Sequence, residues 1–185
     1  MSKIWFTADT HFGHQRTLEL SKRPYSNVEE MNWDMVKKWN SVVDEEDTVY
    51  HLGDFGDLEF AKLLNGNIIL LFGNYEWDEF KRYYELSIDE YIENLKDGWY
   101  FEEVYAEHEI VMEFSNNEYS LVHEPSNANP HRFKLFGHIH KLQMVKRNGL
   151  NVGVDCHDFY PIDLETVEFY RNAIERHYDE DVFGE

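Results

Sequence analysis

The first half of the chain alternates short apolar runs with segments whose apolar residues recur at helical spacing. The runs at 4–8, 48–52 and 67–72 predict buried strands. Between the first two runs, residues 26–43 carry a capping box at Ser26 to Glu29 and an amphipathic pattern, which predicts a helix. A shorter helical turn is predicted at 58–64. An order of strand, helix and strand is typical of an α/β fold.

The second half of the chain is predicted to contain one helix, then extended segments, then a final helix. Residues 77–95 place apolar side chains along one helical face. Apolar and β-branched residues predict strands at 104–114, 118–123, 133–136 and 150–154. The turn signal Asn116-Asn117 predicts that the first two of these strands form a hairpin. Asp163 is predicted to cap a helix that runs to about His177.

Length and composition indicate one compact domain over residues 1–185, with an acidic tail from residue 179 that is expected to fray. Hydrophobic residues make up 42% of the chain, which is enough for a packed core. No apolar stretch approaches the roughly 20 residues of a membrane helix, and no signal-peptide pattern precedes the first strand. We therefore expect a cytoplasmic protein.

Charge and cysteine content restrict the partners and the chemistry. A formal net charge of -20 argues against duplex nucleic acid and anionic membranes as partners, because a basic stripe is needed to displace counterions from phosphates. Cys156 is the only cysteine, which excludes an internal disulfide and a thiolate zinc cluster. Any metal site must therefore use histidine, aspartate, glutamate and asparagine.

Residues of the metal-ligand type follow the ends of the predicted strands. They are Asp9, His11, Asp54, Asn74, His123, His138 and His140. The carboxyl ends of strands in an α/β sheet converge on one crevice, so these seven side chains can meet there. Side chains at i and i+2 of an extended chain point the same way, which pairs Asp9 with His11. Oxygen and imidazole ligands without thiolate suit manganese, iron, zinc or nickel.

The same residues carry a resemblance to a known family. The blocks Asp9-x-His11, Gly53-Asp54, Gly73-Asn74, His123 and Gly137-His138-x-His140 occur in the order of the calcineurin-like metallophosphoesterase family. The chain resembles the small bacterial and phage-borne members of that family, over residues 4–155. The resemblance implies a four-layer α/β/β/α sandwich, in which two mixed sheets pack together with helices outside.

The resemblance also implies two divalent cations, of which manganese is the expected one. The first would be held by Asp9, His11, Asp54 and His140, and the second by Asp54 as a bridge with Asn74, His123 and His138. Two cations bring a charge of +4 and the two carboxylates -2, which leaves about +2 to receive a phosphate. A metal-activated hydroxide would then attack a phosphate ester. The implied activity is hydrolysis of a phosphorylated small molecule or phosphoprotein.

One position departs from the family pattern. The family reads Gly-Asn-His and then an acidic residue, where the histidine steadies the transition state or protonates the leaving oxygen, but here Tyr75 follows Asn74. A tyrosine, with a pKa of about 10, is a weaker acid at neutral pH. We therefore expect a preference for good leaving groups such as aryl phosphates, including phosphotyrosine. His14, three residues beyond His11, is an alternative proton donor.

Two other interpretations of the sequence remain open. One is a phosphodiesterase that acts on small nucleotides or cyclic diesters. The other is a catalytically weak protein that binds metal and phosphate, in which Tyr75 marks the loss of turnover. His51, inside a predicted strand, is interpreted as a packed core residue.

Overall fold

In a computed structural model that describes residues 2–83, 85–98 and 100–179, the strands form two five-stranded sheets. In chain order the strands and α-helices are β1 (Ile4–Thr7), α1 (Gln15–Leu20), α2 (Val28–Val42), β2 (Thr48–His51), β3 (Asn67–Leu71), α3 (Asn74–Phe80), α4 (Ile88–Asp97), β4 (Glu103–Tyr105), β5 (Glu109–Phe114), β6 (Asn117–Val122), β7 (Phe133–Phe136), β8 (Val145–Lys146), β9 (Gly149–Asn151), β10 (Ile162–Asp163) and α5 (Leu164–His177). Short 3-10 helices connect several of them.

The first sheet has the order β10-β1-β2-β3-β4. Its four strands from β1 to β4 are parallel, and β10 pairs antiparallel with β1. In the register, Thr7 pairs with His51, and His51 pairs with Leu70. The first three strands therefore end at one edge of the sheet, and the loops that follow them begin side by side.

The second sheet has the order β5-β6-β7-β9-β8. Strands β6, β7 and β9 are parallel, so the loops after β6 and β7 leave the same edge. The β5-β6 hairpin turns at Ser115 and Asn116, whose φ angles of 49° and 62° suit a two-residue turn with both central residues left-handed. The predicted hairpin is thus present, with its turn one residue earlier than the Asn116-Asn117 signal indicated.

Two hydrophobic cores explain how the sheets and helices are layered. On one face of the first sheet, Val49 and Leu70 pack with Trp39 of α2 and Leu95 of α4. On its other face, Phe6 and Leu71 pack against the second sheet and form the second core. The second sheet contributes Leu121, Leu135 and Leu150 to this core, and helix α5 also packs against it. The predicted α/β class, with two mixed sheets packed together and helices outside, is confirmed.

The predicted helix over 77–95 is wrong, because two helices occupy this region. Helix α3 ends at Phe80, and a 3-10 helix, Lys81–Tyr83, follows it. Ser87 then begins α4, since its side chain accepts from the backbone N–H of Glu90 while Glu90 accepts from that of Ser87. This reciprocal capping box sets a helix start that the apolar pattern alone did not reveal.

Three further boundaries differ from the prediction. The segment 104–114 is divided between β4 in the first sheet and β5 in the second, because the chain crosses between sheets there. Helix α2 is capped by Asn27, one residue after the predicted cap, and its side chain accepts from Glu30 N at 2.8 Å. Strand β9 ends at Asn151 rather than 154, and the tail beyond Asp179 lies outside the described residues. Among the described residues, no helix is long and apolar enough to cross a bilayer.

Candidate metal centre

The loops after β1 and β2 lie against each other and hold three of the predicted ligands. The backbone N–H of Asp9 donates to Gly53 O at 3.0 Å, and that of His11 donates to Asp54 O at 3.0 Å. Asp9, His11 and Asp54 have φ angles of 57°, 51° and 59°, in the left-handed region that non-glycine residues avoid. Each such residue costs roughly 1–3 kcal/mol, and such strain clusters at functional sites.

Five of the seven predicted ligands lie within reach of one another. The ligand atoms of Asp9, His11 and His140 lie within 4.8 Å of one another, and so do those of Asp9, Asp54 and His123. Asp54 Oδ2 is 3.5 Å from His11 Nε2 and 3.4 Å from His123 Nε2, which places it between the two groups. Atoms bound to one cation at about 2.0–2.2 Å lie roughly 3–3.5 Å apart, so this spacing fits shared ligation.

Several ligand atoms of these two groups are buried and make no hydrogen bond within the described part of the chain, and a cation would satisfy them. Asp9 Oδ2, His11 Nε2 and His123 Nε2 are buried, and none has a hydrogen-bond partner among the described residues. A buried polar atom without a partner costs about 1–3 kcal/mol, and a buried charge costs more. All three atoms belong to the two groups above, so the residues present fit a metal site.

Neighbouring acceptors fix which nitrogen of each imidazole is available. His123 Nδ1 lies 2.7 Å from Leu52 O, which can only accept, so Nδ1 carries the proton and Nε2 faces Asp54. In the same way, His140 Nδ1 lies 2.9 Å from Asp155 Oδ2. The nitrogens on the opposite side of both rings are therefore free to bind a cation.

Two predicted ligands, His138 and Asn74, border the group. The backbone N–H of His138 donates to Asp9 Oδ1 at 2.9 Å, and its ring centroid lies 5.2 Å from that of His123. Asn74 is the exposed first residue of α3, and it lines a cavity with His123. Both positions are next to the centre, and their role as ligands stays a prediction.

The close approach of Gly73 to the centre explains why a glycine stands before Asn74. A Cβ on Gly73 would overlap Asp54 Oδ1 and lie 2.9 Å from His123 Cε1. The buried carboxylate of Glu76 accepts from three backbone N–H groups, those of Asp54 at 2.9 Å, Phe55 at 2.8 Å and Gly73 at 2.7 Å. Glu76 thereby ties the loop after β2 to the start of α3.

His123 is the residue of the centre that holds a proton most firmly. Burial, the largest influence, disfavours charge on its ring, but the carboxylates of Asp54, 3.4 Å away, and Asp9 raise its pKa to about 9. Burial likewise acts to raise the pKa of Asp54, yet His123 and His11 hold it well below its usual range. Burial raises the pKa of Asp9 and lowers that of His11. Cation binding must therefore release the proton of His123.

Tyr75 and His14, the two predicted alternatives for the catalytic acid, lie together at the edge of the centre. The Tyr75 ring meets the His11 ring edge-on, with ring centroids 4.8 Å apart, and it stacks on the His14 ring, with ring centroids 4.7 Å apart. His14 Nδ1 lies 3.3 Å from His11 Nδ1, and burial lowers the pKa of His14. Both rings line a cavity of about 650 Å³ that also contains Arg16 and Arg82.

Sequence reasoning missed the residues that support the ligands. Arg23 and Asp155 form a buried pair behind Asp9 and His140. Asp155 follows the segment predicted as the strand 150–154. The criterion that selected Asp9, a ligand-type residue directly after a predicted strand, therefore also selects Asp155. Arg23 lies in no such pattern, and nothing in the sequence distinguished it. His51, interpreted as a core residue, is fully buried, with Nε2 2.9 Å from Thr10 Oγ1.

Two mixed sheets that meet at a cluster of histidines and carboxylates define the architecture of a metal-dependent hydrolase. The chain belongs to the calcineurin-like phosphoesterase family, whose family model matches residues 2–163. The resemblance seen in the sequence is therefore confirmed. Members of this family generally bind divalent metal ions and hydrolyse phosphate esters.

Comparison with known proteins gives three relatives. The chain is 29% identical to an uncharacterized protein of Methanocaldococcus jannaschii over 185 residues, which cover 90% of each chain. It is 46% identical to the gene 66 protein of Mycobacterium phage L5 over 54 residues, 29% of this chain and 26% of that protein. A crystal structure of a protein of unknown function from Aquifex aeolicus shares the fold, with a TM-score of 0.69, 22% identity, and coverage of 92% of this chain and 100% of that chain.

Proposed function

We propose that this protein hydrolyses phosphate esters with a pair of divalent cations held by the predicted ligands. The observation that carries the proposal is the set of buried ligand atoms without partners, Asp9 Oδ2, His11 Nε2 and His123 Nε2, grouped around Asp54. Uncompensated polar atoms at this density are costly unless a ligand satisfies them. Imidazole and carboxylate donors without thiolate suit manganese, iron, zinc or nickel, and the proposal takes manganese as the ion to test first.

The side chains have distinct tasks in this proposal. Asp54 lies between the two ligand groups and is the bridging carboxylate. Asn74 and His138 complete the second site and face the phosphate. When bound, the cations would lower the pKa of a water molecule towards about 7 and neutralise the charge of the phosphate oxygens. The acidic surface is no obstacle at contact distance, because the loaded centre is positive.

Tyr75 determines the preferred substrate in this proposal. Its ring contacts that of His11, and the residue is 37% exposed at the edge of the centre. A phenol donates a hydrogen bond but transfers its proton poorly at neutral pH. Esters whose leaving group is stable as an anion, such as aryl phosphates and phosphotyrosine, should therefore react fastest.

A cavity beside His123 supports the same substrate class. It has a volume of about 340 Å³, and Trp77 and His108 line it with ring centroids 5.9 Å apart. Flat rings beside the ligand group suit a planar leaving group. A nucleobase meets the same description, which keeps small nucleotides and cyclic diesters as the second candidate class.

The test is release of nitrophenol from nitrophenyl phosphate and from bis(nitrophenyl) phosphate, with and without Mn²⁺. We expect Mn²⁺-dependent turnover that Asp54→Asn reduces roughly 100-fold or more. Asp163→Asn is the matched control, because Asp163 caps α5 far from the centre and asparagine caps equally well. Bound Mn²⁺ without turnover would instead support the catalytically weak binding protein.

The same assay distinguishes the substrate classes. A much higher kcat/KM for the diester than for the monoester would support the phosphodiesterase. Equal chemical-step rates for alkyl and aryl monoesters would contradict the role given to Tyr75. Full activity of His14→Ala would remove His14 as a proton donor.

A further inference from the structure

Arg23 is a buried cation that contacts the backbone of the candidate metal centre. Arg23 lies shortly after the end of α1, and its side chain is almost completely buried. Nη2 donates to Asp9 O at 2.6 Å, and Nη1 donates to Thr10 O at 2.8 Å. These bonds hold the loop in which Asp9 and His11 adopt left-handed backbone angles. Arg23 therefore stabilises a strained loop without reaching a ligand atom itself.

The same guanidinium binds Asp155 through two parallel hydrogen bonds. Nε donates to Oδ1 at 3.0 Å, and Nη2 donates to Oδ2 at 2.8 Å. The side chains of both residues are at most 2% exposed. A bidentate pair of this kind fixes geometry as well as charge, and it neutralises the guanidinium next to a site that is meant for cations.

Asp155 in turn holds the imidazole of His140. Its Oδ2 lies 2.9 Å from His140 Nδ1, and Ser21 Oγ lies 2.8 Å from the same nitrogen. The His140 ring stacks on that of His11, with centroids 5.1 Å apart and an angle of 8°. Fixing Nδ1 as the protonated nitrogen leaves Nε2 for a cation and makes it more basic.

His123, in the other ligand group, is positioned independently. Its Nδ1 lies 2.7 Å from the backbone oxygen of Leu52, the first residue after β2. Among the described residues, Arg23 and Asp155 make no hydrogen bond to His123 or Asp54. They reach that group only through the backbone of Asp9, whose carboxylate belongs to both groups.

We propose that Arg23 and Asp155 are positioning residues for one cation site, formed by Asp9, His11 and His140, and that Asp54 and His123, which share Asp9 with that site, are held in place without them. This inference rests on the proposed function, since it assumes that cations bind at both groups. It predicts that the loss of Asp155 turns a two-cation centre into a one-cation centre. A generally loosened fold would instead weaken both sites together.

The test is calorimetric titration of the full chain with Mn²⁺, without substrate, for the wild type and Asp155→Asn. Asparagine has one acceptor oxygen, so it cannot accept from Arg23 Nε at one atom and from Arg23 Nη2 and His140 Nδ1 at the other, as Asp155 does. We expect two cations on the wild type, and on the variant one affinity reduced 10- to 100-fold and the other within about threefold of its original value. Electron paramagnetic resonance at two Mn²⁺ per chain, at a concentration between the two affinities of the variant, should then show a coupled pair in the wild type and a mononuclear signal in the variant.

Asp47→Asn is the matched control. Asp47 is also a buried carboxylate, and it accepts from Lys3 N and from Trp5 Nε1. Trp5 belongs to the first core, on the face of the first sheet that is turned away from the second sheet. This variant should lose stability and keep both cation affinities. The double variant Arg23→Met with Asp155→Leu replaces the ion pair by apolar groups of similar size, which leaves no unpaired buried charge. It should show the same selective loss if Asp155→Asn does not fold.

The outcomes separate this inference from the proposed function. A wild-type protein that binds fewer than two cations would contradict the proposed dinuclear centre. A wild type that binds two, with a folded Asp155 variant that keeps both affinities, would overturn only the positioning role. A folded variant that loses both cations equally would also overturn it, because the support would then extend to the whole centre.

Discussion

Replacing Asp9 with asparagine should make the metal-free protein more stable and the metal-loaded protein less stable. Asp9 is fully buried, and burial raises the pKa of its carboxyl, with further repulsion from Asp54. Attraction to His123 and His140 offsets only part of this. The ionised carboxylate therefore costs folding free energy that a cation is needed to recover. Asparagine retains an oxygen that can accept from His138 N, as Asp9 Oδ1 does at 2.9 Å.

The size of the effect follows from the geometry. The ligand atoms of Asp9, Asp54 and His123 lie within 4.8 Å of one another. At that distance, with an effective dielectric constant of about 20, one pair of unit charges interacts by about 3 kcal/mol. The repulsion from Asp54 and the attraction to protonated His123 thus nearly cancel, and burial decides the sign. Asparagine removes the penalty of a buried ion, which is several kcal/mol, but leaves a buried N–H that costs about 1–3 kcal/mol, so we expect a net gain of about 1 kcal/mol or more.

Thermal unfolding in chelator and in excess Mn²⁺ measures both signs. A gain of about 1 kcal/mol raises Tm by roughly 2–4 °C for a chain of this size. In Mn²⁺ at 100 times its Kd, the wild type gains about 2.7 kcal/mol per cation, whereas the variant lacks a ligand that belongs to both groups. The order of Tm should therefore reverse. Asp163→Asn should follow the wild type in both conditions.

The pH dependence of the metal-free proteins provides a second check. The folded-state pKa of Asp9 is raised above the unfolded value of about 3.9. Its carboxyl thus contributes stability that is fully present below about pH 4 and is lost as pH rises through the folded-state pKa. The advantage of Asp9→Asn should open above pH 4 and close below it. A variant that is less stable than the wild type in chelator at pH 7 would refute this reasoning.

Three other perturbations test other parts of the structure. Asp47→Asn should lower the free energy of unfolding in urea by about 2–3 kcal/mol, because Asp47 accepts from Lys3 N and Trp5 Nε1. Burial acts to raise the pKa of Asp47, but these hydrogen bonds outweigh burial and lower it. The loss of stability in the variant should therefore shrink as pH falls below about 4. A loss that is independent of pH would contradict this. Gly73→Ala should weaken both Mn²⁺ sites in calorimetry, because its Cβ would overlap Asp54 Oδ1; unchanged binding would count against the observed geometry. Tyr75→His should raise kcat on alkyl phosphates at least tenfold while aryl esters change little, and an unchanged ratio of the two would show that Tyr75 does not limit protonation.

The strands and the ligand group were predictable because local sequence determines both. A buried strand shows as an apolar run, and the parallel register that aligns Thr7 with His51 brings the residues beyond each strand to one edge. Asp9, His11 and Asp54 could therefore be placed together without a structure. The two-sheet arrangement was expected from the family resemblance, since no local pattern shows which strands share a sheet.

The features that were missed depend on tertiary contacts. Apolar spacing continues through residues 77–95, and only the capping contacts of Ser87 with Glu90 reveal a second helix start. The segment 104–114 has one extended pattern but pairs with two different sheets. The role of Arg23 depends on contact with Asp155, 132 residues away, and nothing close to Arg23 in sequence encodes it.

The central claim is that one group of side chains, distant in sequence, binds a pair of cations. Anomalous X-ray diffraction from crystals grown with Mn²⁺ tests it most directly. We predict two anomalous peaks bridged by Asp54, one within about 2.0–2.3 Å of ligand atoms of Asp9, His11 and His140 and the other equally close to His123. A single peak, or peaks that Asp54 and His123 do not contact, would contradict the claim.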